Sequence, residues 1–479
     1  MTDQTWRLGA AQTAAAIRSG DLSAAAALES HIARMDAQNG PINAVVVDLR
    51  DEARETAAAA DAEAARARSE GRSLPPLHGV PILVKENVDF KGRANLNGVE
   101  ANRKYIAPDD SPVVRNLRNA GAIPFGLTNT PEFSMRVVTD NPVHGETLNP
   151  WDHARSAGGS SGGSAAATAA GIGCMGHGND IGGSVRIPAA ACGLSTIRAT
   201  LGRIPAFNPS APAERPLVAQ LMSVQGPMCR SVEDVALCLQ AMSAPDPRDP
   251  WQVPAPLFDW PEAPRPLRVA VARHPEDYAA DPAILAKVDE AARMLADAGH
   301  TLVEVDLPDP KADWQLWADL LINEMRIMAG DAMLPVVSDD FKTVWEGYLG
   351  FTNRTDDAKE MLTLMAERSA RLRRWQVLLS TECDVVLTPA LASGAPMSNG
   401  DIADLSSPQN VWGQSMLWIP IFNLLGLPAA VTPAGMVDGL PVGVQIVAAR
   451  YREDRALRAA ADIEARVGPV LPALWDRLG

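Results

Sequence analysis

Two glycine–serine runs and one lysine carry residues able to do chemistry together. The first run is Gly158–Gly159–Ser160–Ser161–Gly162–Gly163–Ser164; the second is Asn179–Asp180–Ile181–Gly182–Gly183–Ser184–Val185–Arg186, with Pro188 just beyond. The lysine, Lys85, ends the apolar run Val80–Pro81–Ile82–Leu83–Val84. Paired glycines ahead of a serine let the backbone turn so that successive N–H groups converge on an anion. Pro188 suits the first turn of a helix, which places Ser184 near that helix's N-terminus. The N–H groups of Ile181, Gly182, Gly183 and Ser184 would then surround its hydroxyl. Such a nest is an oxyanion hole for the tetrahedral intermediate of acyl transfer.

A serine hydroxyl needs a base before it becomes a useful nucleophile. None of the seven histidines lies in a pattern that nominates it, and His177, alone in a glycine-rich run, is assigned a structural role. A lysine can serve if desolvation lowers its pKa enough to leave the amine neutral. Lys85 has the apolar approach that this requires, although a strand-end lysine more commonly reaches solvent. A phosphate-binding loop is the competing use of such glycines, but no GxxxxGK[ST] pattern is present.

The elements that must position these residues alternate between strand and helix. Helical patterns run from Asp21 to about Asn39 and from about Asp51 to Glu70, around a short β-branched run at Ile42–Val47. Strands are expected at Val80–Lys85, Ile123–Leu127, Leu267–Ala272, Thr301–Val305, Asp384–Leu387 and Ala429–Val431, and helices at Ser111–Ala120 and Ile284–Ala298. The Gly/Ser/Ala segment from Ser156 to Gly193 reads as closely packed backbone rather than as a linker. The alternation predicts an α/β fold with a largely buried sheet. Within residues 1–479 the expected parts are a helical N-terminal part (1–74), a core with the motifs (75–243), a proline-rich crossover (244–266) and an α/β part completing sheet and pocket (267–479).

A net charge of −15 argues against nucleic acid or an anionic membrane as partner. No secretory signal and no run long enough to span a membrane is read from the chain. Its five cysteines are scattered without CxxC spacing, which predicts reduced thiols and a cytoplasmic location rather than a disulfide framework or a zinc site.

Together these motifs resemble those of the amidase signature family. Gly79–Val80–Pro81–Ile82–Leu83–Val84–Lys85–Glu86–Asn87 is similar to the family's catalytic-lysine strand, and Gly158–Ser164 and Asp180–Arg186 to its GGSSGG and D-x-GGS-x-R elements. The intervals agree as well: 75 positions separate Lys85 from Ser160, and 24 separate Ser160 from Ser184. The resemblance extends through Gly126–Phe133 and Asn149–Trp151 to Asn423–Pro428 and Gly439–Gln445. It implies a single large α/β domain with a mixed twisted sheet covered by helices, and a triad of Lys85 as base, Ser160 as relay on a cis peptide and Ser184 as nucleophile, with no metal or organic cofactor. Ser161 would support the network, and Asp180 and Arg186 would brace the nucleophile loop. Two departures stand out: Leu127 where a lysine is common, and Ser195–Thr200 in place of a Gly–Leu–Lys–Pro–Thr run.

The same resemblance bears on the substrate. In the glutaminase-type subunit of tRNA-dependent amidotransferases a carboxylate grips glutamine seven residues before the Asn of Asn–x–x–Gly–Leu–Pro; here that residue is Met416. Its neighbours Trp412 and Trp418 are apolar too, and these three either meet the substrate or fill the core. An apolar wall points to an aryl or alkyl amide, an anilide or an amide oligomer. Carbamate (urethane) or ester hydrolysis by the same triad, and the amidotransferase-subunit role, are the alternatives. The partners expected are a small amide and water, for a chain acting alone or as a homodimer.

Overall fold

A computed structural model describes residues 4–257, 266–278, 280–403 and 415–479. Among these described residues there are thirteen strands: β1 Val45–Asp48, β2 Pro81–Lys85, β3 Ile123–Thr128, β4 Leu148–Asn149, β5 Asp152–Ser156, β6 Met175–Asp180, β7 Ser195–Arg198, β8 Val224–Cys229, β9 Arg268–Val271, β10 Thr301–Val303, β11 Val385–Pro389, β12 Ala429–Val437 and β13 Leu440–Ala448. Eleven of them form one sheet in the order β1-β3-β2-β6-β8-β7-β12-β13-β11-β9-β10, while β4 and β5 make a separate hairpin. Pairing is parallel among β3, β2 and β6 and among β11, β9 and β10. From β6 through β8, β7, β12 and β13 to β11 it is antiparallel. The sheet is therefore mixed, as the resemblance implies.

Most expected elements appear within a few residues of their predicted bounds. Ser23 caps the helix Ala24–Ile42 by accepting from the Ala26 N–H, and the alanine run Ala57–Ala60 lies within the regular helix Arg50–Glu70. The strand expected at Ala429–Val431 is longer, because β12 continues to Val437 and turns directly into β13. Ser195–Arg198, a departure in sequence, is the buried strand β7. Of the proline-rich crossover, residues 258–265 lie outside the described residues.

The sheet brings the three motifs to one edge. β2 and β6 are adjacent and parallel, with Ile82 beside Met175 and Leu83 beside Gly176, so Lys85 and Asp180 end neighbouring strands on the same side. The helix Gly162–Ala170 feeds β6, and a helix preceding a strand starts where that strand finishes. Ser160 and Ser161, just ahead of this helix, consequently reach the same edge. Small residues are required because the layers nearly touch: a Cβ on Gly176 would lie 2.7 Å from the Ser164 carbonyl oxygen. Ser164 in turn donates its hydroxyl to the His177 carbonyl at 2.7 Å.

A buried ion pair fixes the end of β6. Asp180 and Arg186, both solvent-inaccessible, meet through two hydrogen bonds of 2.9 and 3.0 Å. Arg186 also donates to the Ile419 carbonyl and to Gln445 Oε1, both at 2.7 Å, and to Asn423 Oδ1. The pair thereby ties β6 and the helix Arg186–Cys192 to β13 and to the helix Ile421–Leu425. Burial alone would push the Asp180 carboxyl up, but the charge and hydrogen bonds of Arg186, helped by the Arg198 charge and the Asn423 amide, more than offset it and hold it well below the usual range. Arg186→Met should lower the stability of the fold by about 3–5 kcal/mol at neutral pH, because it leaves a buried carboxylate without its partner. Since the Asp180 pKa is depressed on folding, the pair's contribution is complete above the unfolded carboxyl value of about 3.9 and fades below it. Urea denaturation at pH 7 and at pH 3 checks this: the gap between parent and variant narrows in acid.

Candidate active site

Lys85 is completely buried at the end of β2. Its Nζ lies 2.8 Å from Ser160 Oγ and 2.9 Å from Asn179 Oδ1. Burial pushes the amine well below the usual lysine range, against the opposing pull of the Asp180 and Glu86 carboxylates. Neither carboxylate is a free counter-ion. Asp180 is committed to Arg186, while Glu86 accepts from the Gly98 N–H and lies 3.1 Å from His144 Nε2. A lysine so placed is suited to the neutral form in which it can act as a base.

The Gly159–Ser160 peptide is cis. Ser160 is buried, and Ser184 is nearly so, yet both line one cleft. The backbone binds the two serine segments together, since the Ser161 N–H donates to the Ser184 carbonyl at 3.2 Å. Ser161 Oγ makes a longer bond of 3.4 Å to the Asn179 carbonyl. Among the described residues no hydrogen bond joins the Ser160 and Ser184 hydroxyls. The structure thus brings the expected trio to one place and pairs two of its members directly.

The loop at Ser184 has the glycines that its packing demands. Gly183 has φ +115°, and a Cβ there would sit 2.2 Å from Ile419 Cγ2. Its N–H donates to Asp180 Oδ1 at 2.8 Å, so this member of the expected nest is already engaged. The N–H groups of Ile181, Gly182 and Ser184 have no acceptor among the described residues. At Gly182 a Cβ would meet the Trp317 ring at 2.8 Å, and the Trp317 indole N–H donates to the Ile181 carbonyl at 3.1 Å. In a trans peptide C=O and N–H point opposite ways, so this bond also fixes the direction of the Gly182 N–H.

His177 does not line the cleft. It is buried with Nε2 2.9 Å from Gln225 Oε1, and burial lowers its pKa to about 4. The cleft holds about 430 Å³, and its walls come from the segments 133–137 and 206–225 and from the helix Pro310–Met333. Phe133, Met135, Trp317, Leu321 and Met325 make them largely apolar. Met416 and Trp418 are buried in the core and are not lining residues of the cleft; Trp412 lies outside the described residues. Sequence reasoning missed Asn87, Asn179 and Trp317. The two asparagines stand inside the motifs that it used, and only their contact with each other gives them a role. Trp317 belongs to a Trp- and Met-rich stretch whose composition alone suits core and pocket equally.

Residues 26–457 match the Amidase family model. The chain is 50% identical over 473 residues to an indoleacetamide hydrolase of Bradyrhizobium diazoefficiens, across 99% of this chain and 89% of that protein. A 6-aminohexanoate-cyclic-dimer hydrolase of Paenarthrobacter ureafaciens is 33% identical over 499 residues, covering 96% of this chain and 94% of its own. Among solved structures, a bacterial aryl acylamidase of the amidase signature family superposes with a TM-score of 0.82 at 25% identity, over 98% of each chain. With its motifs gathered on one sheet edge and its likeness running through nearly the whole chain, this protein belongs to the amidase signature family and is a hydrolase of carbon–nitrogen bonds in amides.

Proposed function

We propose that the chain hydrolyses a small aromatic acetamide of the indoleacetamide class, releasing ammonia and the arylacetic acid through an acyl-enzyme on Ser184. The observation that carries this reading is the cleft itself. Ser160, bonded to the buried Lys85, and a second serine, Ser184, open onto a predominantly apolar wall containing Trp317 and Phe133. The 50% identity to an indoleacetamide hydrolase supports the same substrate class. Aromatic and aliphatic walls favour an apolar acyl group over a zwitterionic amino acid, whose charges would lose hydration there.

In this mechanism the Ser184 hydroxyl attacks the amide carbon. Its proton passes to Ser160, whose own proton passes to the Lys85 amine. The carbonyl oxygen takes up the negative charge, facing the N–H groups of Ile181, Gly182 and Ser184. Collapse of this intermediate breaks the C–N bond, and the proton held on Lys85 returns through Ser160 to the departing nitrogen. Water then repeats the sequence on the acyl-enzyme, regenerating the free hydroxyl and yielding the acid.

Ser184→Ala should reduce turnover by about 10³-fold or more without unfolding the chain. A fluorophosphonate should label the parent at Ser184, and mass spectrometry locating the adduct elsewhere would exclude the assignment. Ser160→Ala should be severely slowed yet still label, with Lys85 then acting less directly through water.

The pH profile separates a lysine base from a histidine base. Lys85 must be neutral to accept a proton, so kcat/KM should rise with pH and level off once the amine is deprotonated, below the ordinary lysine value of about 10.4 because burial lowers it. With a pKa of about 4, His177 would leave the rate flat from about pH 5 upward. Lys85→Met should abolish the activity together with its rising limb, and His177→Ala should keep the limb in place. Retention of the parent's rate and rising limb in Lys85→Met would remove Lys85 from the base role.

Steady-state assays on indole-3-acetamide, an anilide, a linear amide oligomer, a carbamate, an ester and glutamine test the substrate. The arylacetamide is expected to have the highest kcat/KM among the amides, with stoichiometric ammonia. Preference for glutamine would favour the amidotransferase role, and preference for the carbamate a urethanase.

A further inference from the structure

Lys85 has a second partner besides Ser160, and that partner is locked. Asn179 Oδ1 lies 2.9 Å from Nζ and also accepts from Asn87 Nδ2 at 3.1 Å, while Asn179 Nδ2 donates back to Asn87 Oδ1 at 2.8 Å. The two side-chain amides thus form a closed, reciprocal pair. Asn87 is held in turn, because its remaining N–H donates to Ser134 Oγ at 2.8 Å and the Ser134 hydroxyl donates to Asn97 Oδ1 at 2.6 Å. Turning the Asn179 amide over would set its NH₂ group against the lysine and break both bonds of the pair. Its oxygen therefore stays aimed at Nζ.

A neutral amine has two N–H donors and one lone pair. An amide oxygen only accepts, so Asn179 takes one of the N–H bonds of Lys85. We infer that Asn179, locked by its pairing with Asn87, is a positioning residue that turns the Lys85 lone pair toward the Ser160 hydroxyl. The inference rests on the triad proposed above. When Ser160 gives its proton to Nζ and receives that of Ser184, the lysine becomes an ammonium and Ser160 remains neutral. Asn179 keeps its bond to Nζ in both states, so the lysine has no need to turn between proton uptake and proton return.

Several other groups set the charge around Lys85. Glu86 follows it in the chain with His144 opposite, and β6 brings His177 and Asp180, the latter paired with Arg186. On the other side β3 offers Thr128, and the only polar side chains of the helix Gly162–Ala170 are the hydroxyls of Ser164 and Thr168. The helix Ala24–Ile42 also packs on β2, and its His31 lies 3.1 Å from the Gly171 carbonyl. Among these groups Asn179 alone is both uncharged and bonded to Nζ through a fixed acceptor.

The test is the pH profile of kcat/KM in position-179 variants, on the best substrate found or by the rate of fluorophosphonate labelling. Asn179→Asp substitutes a carboxylate of the same shape, favours the ammonium, and should move the rising limb up by about 1–3 pH units. Asn179→Leu removes the acceptor, and should move the limb down while lowering kcat about 10–100-fold with KM within about twofold. Asn87→Asp puts the charge one side chain further away and should shift the limb upward by less, testing the same point if the first variant does not fold. Limbs within 0.2 units of the parent, as an order-of-magnitude criterion, in folded Asn179→Asp and Asn87→Asp would overturn the inference. Lys85→Met tells the two readings apart: if it is inactive while the asparagine variants leave the limb unmoved, only the role of Asn179 fails. If it retains the parent's rate and limb, the lysine base fails and the role of Asn179 with it.

Discussion

The buried pairing of Asp180 with Arg186 is the constraint on which the rest of the site depends. A carboxylate at the end of β6 would, if left alone, be an obvious counter-ion for the nearby Lys85 and would keep that amine protonated. Arg186 takes up the charge instead, at 2.9 Å, and so leaves the lysine in an environment governed by burial. The same carboxylate accepts the Gly183 N–H and holds the turn that presents Ser184. One ion pair thus sets both the shape of the Ser184 loop and the electrostatics around Lys85.

Close packing does the remaining work of alignment. The helix ahead of β6 consists of Gly, Ser, Ala and Thr alone, and every one of its residues is buried. Larger side chains would hold the helix off the sheet and draw Ser160 away from Lys85. A hydrogen bond of 2.8 Å between groups on different elements needs backbones placed to within a few tenths of an ångström. Layers in near-contact provide that placement, because close-packed interiors yield little.

The motif segments were legible in the sequence because their constraints are local. Glycine before serine, a lysine after an apolar run and a proline in a helix's first turn each restrict the backbone within a few residues. The antiparallel middle of the sheet left much less trace, since β8, β7 and β12 are brought together by long-range pairing that no short window encodes. The cleft wall was harder still. Trp412, Met416 and Trp418 drew attention because they are large and apolar, but Met416 and Trp418 share a buried cluster with Trp317, and only Trp317 also borders the cleft. Apolar character marks burial, and which buried face borders an open space depends on neighbours far away in the chain. The Asn87–Asn179 pair escaped for a related reason: an asparagine is an ordinary polar residue until its partner 92 positions away is known.

Trp317 occupies two structures at once, and this has a consequence for how such an enzyme can change. Its ring borders the apolar cleft, while its N–H holds the carbonyl of Ile181 in the Ser184 loop. The helix that carries it cannot be exchanged as an independent specificity cassette. A new helix grafted to admit a different acyl group would also release the Ile181–Gly182 peptide unless it retained an indole, or another donor of equal reach, at that position. Substrate range in this chain is therefore freer to drift through Leu321 and Met325, further along the same helix, than through the residue in contact with the reaction loop.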